Sequence, residues 1–192
     1  SVYGLLVHRP DDLRGPAGDD VFAAMRRCRD DGLVERIGVS VYSGDEADEF
    51  LGRFPFDLVQ LPANVLDQRE VGNGRLARLR RDGVEVHVRS VFLQGLLLLP
   101  IERIPPYFEP IRETLRGYRE AATAAGLGAV EAAVQFAAAR IEADCLIVGA
   151  GSVAEFAEIV AAFESPSVDF DYAPFAVSDT RFIDPGRWPA AA

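Results

Sequence analysis

Short apolar runs alternate with helix-spaced apolar positions along the whole chain. The first run, Val2-Tyr3-Gly4-Leu5-Leu6-Val7, ends at His8-Arg9-Pro10. Its lack of polar alternation predicts a strand covered on both faces, as in a parallel sheet. After a loop from Pro10 to Asp19, the apolar residues Val21, Phe22, Met25 and Cys28 fall on one face of a helix over 21–31, with Asp19 or Asp20 as the expected cap and Gly32 as the stop. The same reading predicts strands over 36–41, 56–61, 84–88 and 145–148. Helices are predicted over 45–51, 75–82, 110–125, 129–141 and 153–163, with Ser43 or Gly44 starting the first and Gly83 closing the second.

The apolar stretch 91–99 is expected to be packing rather than a lid. Residues 164–192 combine four prolines with Phe170, Tyr172, Phe175, Phe182 and Trp188, too much apolar surface to leave in water, so an irregular segment wrapping the surface is expected. Strands alternating with helices predict an α/β fold with a parallel sheet joined by crossovers. A closed barrel of eight β/α units takes about 200–250 residues, whereas 192 residues here carry five. The expectation is a single domain over 1–192: a partial TIM-type (β/α) barrel of about five parallel units over 1–163, with the tail over 164–192.

Charge changes the picture of partners more than of fold. The formal net charge is −10 with a pI near 4.7, which repels nucleic acid and anionic membranes, and no apolar run approaches the ~18 residues of a membrane span. All 20 basic residues are arginine; lysine is absent from the sequence. Cys28 and Cys145 each stand alone in an apolar pattern, which suits buried thiols in a reducing compartment better than a disulfide or metal site. A cytoplasmic location is the expectation, and no metal is expected.

Every predicted strand ends in a polar or compact group: His8, Ser40, Gln60, Arg89-Ser90 and Gly149-Ala150-Gly151-Ser152. Such groups delivered to one sheet edge point to a site, because that edge is where α/β folds bind ligands. The glycine-rich turn at 149–152 precedes a helix, whose first amides favour an anion, although Glu155 and Glu158 one turn later oppose an added phosphate.

Val7-His8-Arg9-Pro10, Arg36-Ile37-Gly38-Val39-Ser40, Asp57-Leu58-Val59-Gln60 with Asn64, Arg89-Ser90 with Gln94-Gly95-Leu96-Leu97, and Val148-Gly149 with 152–158 follow one another in an order and spacing that resemble the aldo/keto reductase superfamily. The resemblance covers nearly the whole chain and maps onto strands four to eight of that family's barrel, with strands one to three absent from this sequence. It implies an NAD(P)H-dependent oxidoreductase of carbonyl or alcohol substrates. His8 would orient the carbonyl as the catalytic residue represented here. Ser40 and Gln60 would hold the nicotinamide carboxamide, and Arg89 would stack on its ring. Ser90, Gln94 and Gly95 would lie on the pyrophosphate side, and Gly149, Gly151, Ser152 and Glu155 at the adenosine end.

The departures are as informative. The family's proton-donating Asp, Tyr and Lys belong to the absent strands, and no lysine exists to replace one. Arginine stays protonated and cannot tune a proton transfer in the same way. Val41 stands where the family has Asn, and Glu155 and Ile159 stand where it contacts the adenosine phosphate and base, which favours NADH over NADPH. The chain as given is therefore expected to be inactive in reduction, with doubtful cofactor binding by itself. The missing groups would come from a longer parent chain or a partner polypeptide. Two other readings stay open: a partial barrel kept for binding, with its open edges covered by the aromatic tail or by a second chain in a homodimer; or a different enzyme using His8 with Arg89 and an acid such as Asp57 or Glu85.

Overall fold

Five strands lie side by side in chain order, all parallel: β1 (Val2–Val7), β2 (Val34–Ser40), β3 (Leu58–Pro62), β4 (Glu85–Arg89) and β5 (Cys145–Leu146). The structure is a computed structural model that describes residues 1–189; the last three residues of the expected tail fall outside them. Between the strands run α1 (Asp11–Arg14), α2 (Gly18–Asp30), α3 (Gly44–Arg53), α4 (Arg75–Arg81), α5 (Arg112–Ala124) and α6 (Ala129–Arg140), and α7 (Val153–Glu164) and the short α8 (Thr180–Ile183) follow β5. No single helix among the described residues is long and apolar enough to cross a membrane.

The register sorts the side chains into two faces. Ile37, Val39, Val59, Leu61, Val86 and Val88 share one face and are fully buried, in one core with Met25, Phe50, Leu76 and Leu79 of the helices. The other face carries Arg36, Gly38, Ser40, Leu58, Gln60, Glu85, His87, Arg89 and Cys145. Apolar burial therefore drives assembly on the helix side, while the concave side keeps the polar groups.

Glycine at 38 is required by that concave face, because a Cβ there would overlap the Leu58 carbonyl and side chain. Gly38→Ala is expected to lower stability by about 1–3 kcal/mol, the range for overpacking a filled site; a urea midpoint unchanged from the parent would show that β2 and β3 can spread.

Local signals explain most boundaries. Ser43 caps α3 by accepting the Glu46 amide, and Gly32 and Gly83 follow α2 and α4 in the left-handed region that glycine enters freely. Four expectations need correction. The first strand is not covered on both faces: Val2, Tyr3 and Leu5 are exposed because β1 has no neighbour on its outer side. The 10–19 segment contains α1, and α2 begins at Gly18 with Ala17 at its cap, so Asp19 and Asp20 sit inside the first turn, where their charge still favours the helix dipole. The fifth strand pairs over Cys145–Leu146 alone, and part of the predicted 110–125 helix opens as a 3-10 turn over Pro106–Ile111.

The C-terminal segment lies against α5, α6 and the loop after β3. Gln135 clips it: its amide donates to Ser165 Oγ at 2.9 Å and the Pro166 carbonyl at 3.0 Å and accepts from the Val168 amide at 3.0 Å. Farther on, the Gln68 amide donates to the Tyr172 carbonyl, the Val177 amide to Leu66, and Trp188 packs edge-on against Phe108.

Candidate functional site

At the C-terminal end of the strands a cavity of about 740 Å³ opens, lined from β1 by His8, from the β2 end by Tyr42, from β4 and its loop by Arg89, Ser90, Phe92, Gln94 and Gly95, from the β5 end by Ile147 and Gly149, and from the tail by Pro185 and Gly186. Six of the residues singled out in the sequence meet here: His8, Arg89, Ser90, Gln94, Gly95 and Gly149. A second hollow of about 500 Å³, lined by Arg9, Pro10, Asp11, Asp12 and Glu46, shares His8 and Tyr42 with the first. These two side chains form the wall between them.

Arg89 dominates the electrostatics of the larger cavity. It sits at the last position of β4, half-buried, with its guanidinium 4.9 Å over the Tyr42 ring. One Nη donates to Ser90 Oγ at 3.2 Å, the other to the Val41 carbonyl at 3.1 Å, and Nε is buried without a partner. Burial pulls the affinity of this guanidinium for its proton below the ordinary arginine value. Arginines such as Arg14, Arg69 and Arg75 are ion-paired to carboxylates; Arg89 makes no such pair among the described residues, and no Asp or Glu lines its cavity. In a chain of net charge −10, that leaves a pocket whose fixed charge is positive.

The loop after β4 is built to hold this geometry. Ser90, Leu93 and Gln94 all take positive φ (62°, 47° and 54°), as does Gly95 at 85°. Non-glycine residues there are strained and persist where surrounding contacts over-determine them. Here the anchors are Leu93, Leu96 and Leu97, buried in the core, and Asn64, fully buried, whose amide donates to the Ser90 carbonyl at 3.2 Å while its oxygen accepts from the amides of Leu66 and Asp67. The 91–99 stretch is thus packing that presents Ser90 and Gln94.

Ser40 and Gln60 are adjacent in the β2–β3 register and joined by a 3.1 Å hydrogen bond from Ser40 Oγ to Gln60 Oε1. With His87, level with Gln60, they form a layer one residue pair below Arg89 and do not line the cavity. At the turn before α7, Ser152 accepts the Glu155 amide as cap, and Glu155 Oε2 accepts the Gly151 amide at 2.6 Å. The turn's own carboxylate therefore occupies a position at which an anion would be held. Gly151, Ser152 and Glu155 stay apart from the cavity that Gly149 borders.

The acids considered beside His8 are engaged elsewhere. Asp57 accepts from the Ile37 amide and pairs with Arg29 at 2.8 Å. Glu85 lies at the opposite end of β4 from Arg89, taking the Tyr3 hydroxyl at 2.6 Å and His87 Nε2 at 2.9 Å. Both stand at the N-terminal ends of their strands, so neither of them acts as an acid beside His8. Tyr42, Phe92, Ile147, Pro185 and Gly186 were not foreseen as lining residues. An aromatic two residues beyond Ser40 was the one available cue, for Tyr42; the tail residues arrive through tertiary contacts.

A family model described as the aldo/keto reductase family matches residues 5–175. Among solved structures, the apo form of aldo-keto reductase AKR11C1 from Bacillus halodurans superposes with a TM-score of 0.71 at 21% identity, over 90% of this chain and 60% of that one. Its holo form gives 0.67 at 22% over 86% and 56%, and the glycerol dehydrogenase AKR11B4 from Gluconobacter oxydans gives 0.64 at 20% over 88% and 55%. Identities this low speak to fold alone. The chain spans about three fifths of the length of these relatives. No curated protein matches it in sequence.

Proposed function

Since the chain belongs to the aldo/keto reductase family, we propose that it carries the cofactor-binding and carbonyl-orienting part of a nicotinamide-dependent oxidoreductase of small carbonyl or alcohol substrates. The observation that carries this reading is the acid-free cavity with Arg89 unpaired beside His8. Its volume is within the roughly 300–1,000 Å³ of ligand sites, and a planar guanidinium already seated on Tyr42 offers a second flat face to an aromatic ring.

The residues fit a nicotinamide dinucleotide at the ring and pyrophosphate end. Arg89 would meet the ring and neighbouring phosphate charge, Ser90 and Gln94 would donate hydrogen bonds, and the absence of a Cβ at Gly95 and Gly149 would let the ligand approach the backbone. Ser40 and Gln60 would reach a carboxamide from below after their mutual hydrogen bond opens. When bound, the nicotinamide supplies hydride chemistry. His8, on the wall between the two hollows, would donate a hydrogen bond to a carbonyl oxygen entering from the side of Arg9 and Asp12, and so orient and polarise that carbonyl. The proton for the resulting alkoxide would come from groups outside these residues.

Titration with NADH and NADPH, followed by nicotinamide fluorescence, tests the reading. Saturable binding of NADH is expected, with NADPH weaker because Glu155 already holds the Gly151 amide and would repel a further phosphate. Glu155→Ala is expected to narrow the gap between the cofactors by strengthening NADPH alone. The absence of any binding at millimolar cofactor would overturn the reading in favour of a scaffold kept for binding other molecules.

A further inference from the structure

A closed ring of polar contacts ties together the ends of β2, β3 and β4. At the end of β2, the Tyr42 carbonyl accepts from an Arg69 Nη at 2.9 Å. The same guanidinium grips Asp67 at two points, Nε on one carboxylate oxygen and that Nη on the other, both at 2.7 Å. Asp67 in turn gives its backbone amide to Asn64 Oδ1 at 3.1 Å, and the Asn64 amide donates to the Ser90 carbonyl just beyond β4. Arg89 completes the ring: its two Nη atoms reach Ser90 Oγ and the Val41 carbonyl, and its plane lies over the Tyr42 ring. The loop after β3 therefore holds both neighbours of the Arg89 seat, Tyr42 through Arg69 and Ser90 through Asn64. Neither Asp67 nor Arg69 lines the cavity.

Asp67 is 1% exposed. Burying a carboxylate is costly, and an ion pair in such a place is often no better for stability than apolar residues of the same volume. What the pair supplies that apolar residues could not is direction. A planar guanidinium fixed at two points by one carboxylate has a set orientation, and it delivers its remaining hydrogen bond to one carbonyl. The Tyr42 amide is fixed as well, by Glu46 Oε2 at 2.7 Å, so side chains from two elements hold both polar backbone groups of this residue. We propose that Asp67 and Arg69 are positioning residues for Arg89: their pair fixes Tyr42 as the platform for the guanidinium, and so sets how the positive charge of the cavity is presented to a ligand phosphate. The phosphate clause rests on the nicotinamide dinucleotide reading, whereas the seating of Arg89 does not. Arg75 supplies the contrast, because it is shared among Asp45, Asp48 and Glu70 and donates to no member of the ring.

The Nε–Hε resonance of Arg89 in the ligand-free chain, identified by its disappearance in Arg89→Lys, reads the seat directly, and calorimetry with inorganic pyrophosphate reads its consequence. Arg69→Lys keeps a cation beside Asp67 but gives up the fork. Asp67→Ala combined with Arg69→Met removes both charges, so that neither is stranded. In each, the Arg89 resonance is expected to shift and broaden and the Kd for pyrophosphate to rise about three- to tenfold, the size of coupling within one hydrogen-bond network, while the circular dichroism stays unchanged. Arg75→Lys is expected to move neither readout. The proposal is overturned if the Arg89 resonance stays in place in either folded variant, if Arg75→Lys moves it as far, or if the resonance moves and a measurable Kd does not follow. Loss of the fold in both variants also overturns it, since the pair would then be structural. A parent chain that binds no pyrophosphate would count against the nicotinamide dinucleotide reading alone, because the resonance still decides the seating.

Discussion

Arg89→Leu is expected to weaken nicotinamide dinucleotide binding by ten- to a hundredfold while leaving the fold intact. The side chain supplies the fixed positive charge of the main cavity, and hydrogen bonds to charged groups contribute about 1.5–3 kcal/mol each, where 1.4 kcal/mol is a factor of ten in Kd. It has no carboxylate partner to orphan, so its removal does not strand a buried anion, and the midpoint of thermal unfolding should hold. Leucine keeps apolar contact with Tyr42 but returns neither the charge nor the two donors. Arg89→Lys separates the contributions: the charge survives, whereas the planar face on Tyr42 and the fork to Val41 and Ser90 are lost, so an intermediate affinity is expected. A Kd for Arg89→Leu within twofold of the parent would remove this residue from the binding site.

The largest loss of stability is expected from Phe136→Ala. Phe136 is 1% exposed at the centre of α6 and meets the Tyr172 ring edge-on at 5.1 Å between centroids; Tyr172 in turn donates its hydroxyl to the Ala132 carbonyl at 3.0 Å and stacks edge-on with Phe170. Emptying that position costs about 3–5 kcal/mol in buried phenylalanine series, and for a domain of this size each kcal/mol shifts Tm by roughly 2–4 °C. A fall of about 10 °C is expected. Because the tail that Phe136 secures ends beside the cavity at Pro185 and Gly186, cofactor affinity should fall with it, even though the substitution touches no lining residue. A Tm shift under about 3 °C would mean that α6 and the tail repack around the void.

The order and direction of the strands were legible in the sequence because three of the five runs, β2, β3 and β4, put β-branched residues on the helix side of the sheet, where burial is complete. Their ends were less legible. Val34 and Glu35 extend β2 because the backbone keeps its pairing with β1 past the apolar signal. The predicted fifth strand stops after Leu146, because the chain donates once more to β4, from the Ile147 amide to the Val88 carbonyl, and then turns into the glycine segment. The first strand misled for a related reason: an unbroken apolar run reads identically whether the second neighbour is present or not. Asp19 and Asp20 looked like caps because acidic residues favour both the cap and the first turn.

Of the site, what strand ends deliver was readable, and what the tertiary structure adds was not. His8 and Arg89 stand where their strands stop. Nothing local marks Tyr42 as the platform under Arg89, or Pro185 and Gly186 as lining. The glycine turn shows the opposite case: its composition favoured an anion, and the structure shows a carboxylate from the same turn already bonded there.

The sheet's sequential order has a consequence for how the chain assembles. The connections from β1 to β4 are compact helical crossovers, through α1 and α2, then α3, then α4, so each new strand is brought to its neighbour by closing a comparatively short loop. From Arg89 to Cys145 the chain makes its longest excursion, through the strained loop and both α5 and α6, before a strand of only two residues completes the ladder. The entropy of closure is therefore greatest where the pairing gained is least, and β5 is the member of the sheet whose attachment depends most on the helices laid down before it.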